Sequence, residues 1–306
     1  MLGIAFASNS EKKGGEAVVP FAKINGTTLY YKVKGSGVPI MFIHPPMLTS
    51  SNFADQMEQL SGRYQIIAFD IRGHGRSGQS SEQLTYTLLA EDICGLLDHL
   101  ELKKAYLCGY STGGSVALEA MLRYPDRFYG AILISGMSEL SDWYRRSEAW
   151  AAVGMMGLRA KRIVAAVIAW GNSNKWKTFR RLYRAAKEGQ LRNVNDYFKC
   201  SLTYNCTDKL GQIKTPVLLL YGEKDKEFHR YAHILHRRLP DSTLHFLPKV
   251  GHQLPTKSAS LVNALIRQWI DERHPWKTAD KSRQPAPSLL AFLPPDAPRV
   301  EETTEV

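Results

Sequence analysis

From Phe21 onward the chain alternates short apolar runs with polar, glycine-punctuated turns. TTLYYKV (27–33) carries β-formers at period two, and Lys34-Gly35-Ser36-Gly37 turns it back. IMFI (40–43) and QIIAF (65–69) are continuous apolar runs of strand length, as expected for strands covered on both faces. QIIAF ends at Asp70 and the turn RGHGRSG. Residues 86–100 then place Leu88, Leu89, Ile93, Leu96, Leu97 and Leu100 at helical spacing. The cycle repeats with a strand at 104–109, a helix at 111–123 and a strand at 130–135. It resumes later with a strand at 216–222, a helix at 231–239, a strand at 242–248 and a helix from about 258 to 272.

Strands alternating with helices predict an α/β fold: a mostly parallel, doubly wound sheet with helices on both faces. The alternation stops for about seventy residues after Ser138, where the sequence is helix-rich, basic and aromatic. The expected organisation is a flexible leader over 1–20, a core over 21–137 and 209–273, and a helical cap insertion over 138–208. The Pro-rich, charged segment 274–306 is expected to be a disordered tail, with an apolar island at 288–293.

Composition narrows the function classes. The 306 residues are 44% hydrophobic and 23% charged, which suits a globular domain with a sizeable core. Cys94, Cys108, Cys200 and Cys206 form no CxxC pair, so reduced thiols are expected rather than a disulfide framework or zinc site. Residues 1–15 lack the flanks of a secretory signal, and Arg159, Lys161 and Arg162 interrupt the most apolar later stretch. A cytoplasmic protein without a membrane span is the expectation.

The net charge of +11 is concentrated: 139–199 holds thirteen basic and five acidic residues. Such a surface serves solubility, anionic substrates or weak association with an anionic membrane face. The stretch 175–187 mixes bases with aromatics, yet reads first as a solvated helix, and no nucleic-acid partner is expected. His229, His233 and His236 have a metal-like spacing without an evident carboxylate or cysteine partner, so neither metal nor cofactor is assigned.

Gly109-Tyr110-Ser111-Thr112-Gly113 matches GxSxG, a pattern that chance supplies in roughly one chain in ten of this size. Its context carries the weight. A strand runs into it and a helix runs out, as a nucleophile elbow requires. Glycines allow close backbone approach there, and the helix N-terminus favours developing negative charge. A serine hydroxyl needs a base. His252, in VGHQLP after a strand, reaches the same sheet edge, as does Asp225, after the strand before it. An imidazole needs a carboxylate to set its tautomer; Glu223, Asp142 and Glu139 are the competing acids.

On these residues the chain resembles the α/β-hydrolase family over about 21–273. The segments that carry the resemblance are INGTTLYYKVKGSG, IMFIHP, DIRGHGRS, LCGYSTGGSVALEAMLRYPDRF, PVLLLYGEKD and VGHQLP. The resemblance implies a Ser111–His252–Asp225 triad, an oxyanion hydrogen bond from the Thr112 N–H, and a cap over the pocket. It also implies a mainly structural role for the turn at Asp70, Arg72, Gly73, His74 and Gly75. One departure stands out. The family has His-Gly-x after the strand matching IMFI, whereas here it is followed by His44-Pro45-Pro46-Met47. Proline has no N–H, so Met47 is the candidate second donor.

His44, Pro46, Tyr110, Met155 and Met156 are the candidate substrate-pocket residues. The two methionines, with Trp150, Trp170, Ile163 and Val167, either line a pocket or form the cap's own core. The expected activity is cleavage of an ester, lactone or related acyl bond of a small-molecule substrate through an acyl-enzyme, without a cofactor. A slow-turnover ligand-sensing receptor on the same fold is the alternative, and the oligomeric state stays open.

Overall fold

The computed structural model describes residues 21–274. The expected leader and the tail beyond His274, including the apolar island, lie outside the described residues. In chain order the elements are β1 (Phe21–Ile24), β2 (Thr27–Lys34), β3 (Pro39–Ile43), α1 (Ala54–Leu60), β4 (Gln65–Phe69), α2 (Tyr86–His99), β5 (Ala105–Tyr110), α3 (Thr112–Arg123) and β6 (Phe128–Ile134). Four helices follow: α4 (Trp143–Gly157), α5 (Lys161–Gly171), α6 (Trp176–Glu188) and α7 (Leu191–Thr203). The chain then returns through β7 (Val217–Gly222), α8 (Lys226–Arg238), β8 (Ser242–Leu247), α9 (Leu254–Lys257) and α10 (Ala259–Arg273).

The eight strands form one sheet in the order β1-β2-β4-β3-β5-β6-β7-β8. β1 and β2 are antiparallel, β2 runs antiparallel to β4, and all other pairs are parallel. Asn25 and Gly26, both at positive φ, make the tight turn of the first hairpin. Alternate strand residues feed two cores, because successive side chains point to opposite faces. Met41, Ile43, Ile67, Phe69, Leu107, Leu133 and Leu219 pack in one cluster with residues of α2, α3 and α8. Ile40, Phe42, Ile66, Ala68, Cys108, Ile132 and Leu218 pack in the other with residues of α1 and α10. Full coverage explains why these strands read as unbroken apolar runs.

Strand order reverses between β3 and β5, where open α/β sheets carry their ligands. Register fixes what meets there. Ile43 pairs with Gly109, Tyr110 with Ile134, and Ile134 with Leu220. The segments after β3, β5, β7 and β8 therefore leave at the same edge of the sheet. A buried ion pair ties down the turn after β4: the Arg72 guanidinium donates to both Asp92 oxygens at 2.6 and 2.5 Å.

Candidate active site

Ser111 lies between β5 and α3 with φ 54° and ψ −125°, a conformation that L-residues rarely adopt. The bend needs glycine on both sides. A Cβ on Gly109 would stand 2.4 Å from the Gly113 carbonyl oxygen, and one on Gly113 would stand 2.2 Å from that of Ile43. The Ser111 N–H donates to the Ile134 carbonyl at 2.8 Å, which pins the bend to β6.

His252 approaches from the segment after β8. Its Nε2 is 3.1 Å from Ser111 Oγ, and its Nδ1 is 2.7 Å from Asp225 Oδ2. A carboxylate only accepts, so Nδ1 carries the proton and donates to Asp225; Nε2 then accepts from the serine hydroxyl. Asp225 is buried and precedes α8, yet its carboxylate makes no capping bond to that helix. The competing acids are engaged elsewhere: Glu223 accepts from the Lys249 N–H, Glu139 from Asn205, and Asp142 caps α4 through the Arg145 N–H. The His252 ring is held between Phe228 (ring centroids 4.2 Å apart) and Tyr110 (5.5 Å). The Tyr110 hydroxyl donates to Asn172 at 2.9 Å. Burial, and secondarily the charge of Asp225, push the Tyr110 phenol far up, so it stays protonated.

This constellation opens into a cavity of about 530 Å³, within the range of small-molecule sites. Pro45, Pro46 and Leu48 line it from the segment after β3, and Ala152, Met155, Val164, Val167 and Ile168 from α4 and α5. Of the candidate pocket residues, Pro46, Tyr110 and Met155 are on the wall. His44 and Met156 are not, which corrects the expectation for both. His44 is fully buried; its Nε2 accepts from the Ile71 N–H at 2.9 Å and its Nδ1 donates to the Pro45 carbonyl, so the ring braces the turn beneath the wall. Met156 packs with Val164 and Val194 of the helical insertion and with Met47 from the segment after β3. Met47, at φ 69°, turns its side chain into that cluster, while its neighbours Pro46 and Leu48 face the cavity. Val167 is on the wall although largely exposed, whereas the exposed Trp150 and Ile163 join neither wall nor core, and Trp170, also exposed, packs edge-on against Phe179 instead.

The residue types missed from sequence are Phe228 and Asn172. Phe228 packs at a tilt against the imidazole from the turn just before residue 231, where the helical spacing of α8 became legible, and Asn172 sits at the end of α5 with no motif around it. The three helix histidines have separate partners: His229 at the Gly222 carbonyl, His236 at Ser242, and His233 against Phe246. Among the described residues, no group of three or more His, Cys, Asp and Glu side chains could hold a metal. All four cysteines are free, and no described helix is long and apolar enough to cross a membrane.

Residues 40–258 match the family model described as serine aminopeptidase, S33. The chain belongs to the α/β-hydrolase family. The serine hydrolase BPHL of Homo sapiens is 25% identical over 259 residues, covering 81% of this chain and 84% of that protein. The 3-oxoadipate enol-lactonase 1 of Acinetobacter baylyi is 28% identical over 209 residues, covering 65% and 77%. In fold, this α/β-hydrolase chain is similar to an esterase from Exiguobacterium antarcticum, with a TM-score of 0.76, 20% identity, and coverage of 83% of this chain and all of that one.

Proposed function

We propose that this α/β hydrolase cleaves a carboxylic ester, lactone or related acyl bond of a small, largely apolar substrate through an acyl-enzyme on Ser111. The hydrogen-bonded run from Asp225 through His252 to Ser111, at the base of an apolar cavity, carries this reading. Ser111 Oγ attacks the carbonyl while His252 Nε2 takes its proton. Asp225 stabilises the imidazolium and keeps the ring's orientation. The oxyanion forms at the N-terminus of α3, where the Thr112 N–H and the helix dipole favour negative charge. Pro45 and Pro46 cannot donate, so the second donor is the first N–H after them, that of Met47. His252 then protonates the leaving group, and in the second half activates the water that releases the acid. The helical insertion acts as the cap, since α4 and α5 supply one wall of the cavity. Four free thiols fit a reducing, cytoplasmic setting.

The names of the relatives support acyl chemistry: a serine hydrolase, an enol-lactonase and an esterase. The proline pair on the wall favours a second reading, a ligand-sensing hydrolase with slow turnover, because one missing oxyanion donor costs about 10²–10³ in turnover. A panel of p-nitrophenyl esters of increasing acyl length separates the two. Sustained turnover that disappears in Ser111→Ala supports the enzyme. A stoichiometric burst with negligible steady state supports the sensor, and equal activity of Ser111→Ala ends both.

A further inference from the structure

A second cavity, of about 470 Å³, lies apart from Ser111, between α6 and the segments around β2, β3 and β4. Its wall gathers six cations: Lys32 from β2, Arg76 from the turn after β4, and Lys177, Arg180, Arg181 and Arg184 from α6. Only Asp70 and Glu188 oppose them. Both Asp70 oxygens are already committed, Oδ1 to the Ser50 N–H at 2.8 Å and Oδ2 to the Arg76 N–H at 3.0 Å. Among the described residues, none of the six cations has a carboxylate within 4 Å. The Arg181 Nε and Nη2 are shut off from solvent without any hydrogen-bond partner.

Each of these features has a cost in the free protein. Like charges facing one cavity repel, and a buried guanidinium N–H without an acceptor loses its hydration for nothing in return. A multiply charged anion relieves both at once. Arginine forks match the geometry of phosphate oxygens, and a phosphate group offers enough acceptors for several of them. The cavity is too large for a lone ion and has the size of a small-molecule site. Trp176 lines one side of it.

We propose that this cleft, between α6 of the insertion and β2 of the core, binds a phosphate-bearing anion, either a free phosphorylated small molecule or a phospholipid headgroup. The site is independent of the acyl-transfer centre. It also gives the concentrated positive charge of 139–199 a specific purpose, since four of the six cations come from that stretch.

Isothermal titration of the full chain with pyrophosphate at low ionic strength tests the site. Cosedimentation with phosphatidylcholine vesicles, with and without phosphatidic acid, identifies the source. Saturable one-to-one binding of pyrophosphate is expected, weakened at least tenfold in Arg181→Gln and in the more exposed Arg180→Gln/Arg184→Gln double variant, each checked for folding by circular dichroism. Lys104→Gln removes a charge at the opposite edge of the sheet and is expected to leave affinity within twofold. Vesicle binding that needs phosphatidic acid and is displaced by pyrophosphate assigns a headgroup, whereas pyrophosphate binding alone assigns a free molecule. No saturable binding of either probe, indifference to both arginine variants, or an equal loss in Lys104→Gln overturns the proposal.

Discussion

Gly113→Ala tests the geometry of the elbow with a single methyl. The new Cβ would lie 2.2 Å from the Ile43 carbonyl oxygen and 2.9 Å from the Ile43 carbonyl carbon. Ordinary contact begins near 3.4 Å, so the oxygen alone demands a displacement of 1.2 Å (3.4 − 2.2). Both neighbours are backbone atoms of β3 and cannot rotate away. Separation must come from lifting α3 off β3, which moves the Thr112 N–H and Ser111 relative to Pro45 and Pro46. A misplacement of about 1 Å at a reacting centre costs roughly 10²-fold in rate, and overpacking of this kind costs about 1–3 kcal/mol in stability. The assay is kcat/KM for p-nitrophenyl butyrate together with urea denaturation. Gly154→Ala is the matched control: it lies within α4 with nothing within 4 Å of the added methyl. That change is expected to stabilise by about 0.5–1 kcal/mol and leave turnover intact. Wild-type turnover from folded Gly113→Ala would refute the close approach of α3 to β3 as a requirement for activity.

Three further outcomes follow from the structure. Burial holds His44 down at about 4, and burial with the nearby His44 charge holds His74 at about 3, both from an ordinary 6.5. The unfolded chain takes up protons below pH 6.5 that the folded chain refuses, so stability falls as pH drops from 6.5 toward 4, by about 1.4 kcal/mol per pH unit for each ring. His74→Asn should shallow that slope in urea titrations at stepped pH, and an unchanged slope counts against the assignment. Asp92→Asn leaves the buried Arg72 without its counter-charge and should cost about 3–5 kcal/mol by chemical denaturation; a loss under about 1 kcal/mol contradicts that cost. Asp225→Asn lets an amide N–H face His252 Nδ1 and reverses the imidazole tautomer, so turnover should fall by roughly 10⁴ with the fold intact. A loss of less than tenfold would show that Asp225 does not orient the ring.

The strands β3 to β7 were legible because they are covered on both faces, which makes them nearly uniformly apolar: β5 is buried at every position and β4 runs over the very residues its sequence suggests. The elbow was legible for the same reason, since β5 and α3 frame it closely. α1 and the first turns of α8 were not. α1, ADQMEQL, is mostly polar and is held by tertiary contacts, including Gln56 to the Pro255 carbonyl. α8 begins at Lys226, five residues before its apolar spacing starts, because its first turn is polar apart from Phe228. Side-chain direction was the least legible property. Nothing local says that His44 turns down to the Ile71 N–H, that Met156 faces inward while Met155 faces the cavity, or that Trp170 is left 67% exposed. Each depends on which neighbour covers that face, and the neighbours come from distant parts of the chain.

Labelling with a fluorophosphonate, followed by mass-spectrometric mapping of the adduct, bears most directly on the central claim. A hydroxyl activated by His252 should give one adduct per folded chain, at Ser111, with labelling lost in Ser111→Ala and strongly slowed in His252→Ala. An adduct on a different residue, or a folded wild-type chain that stays unlabelled, would contradict it.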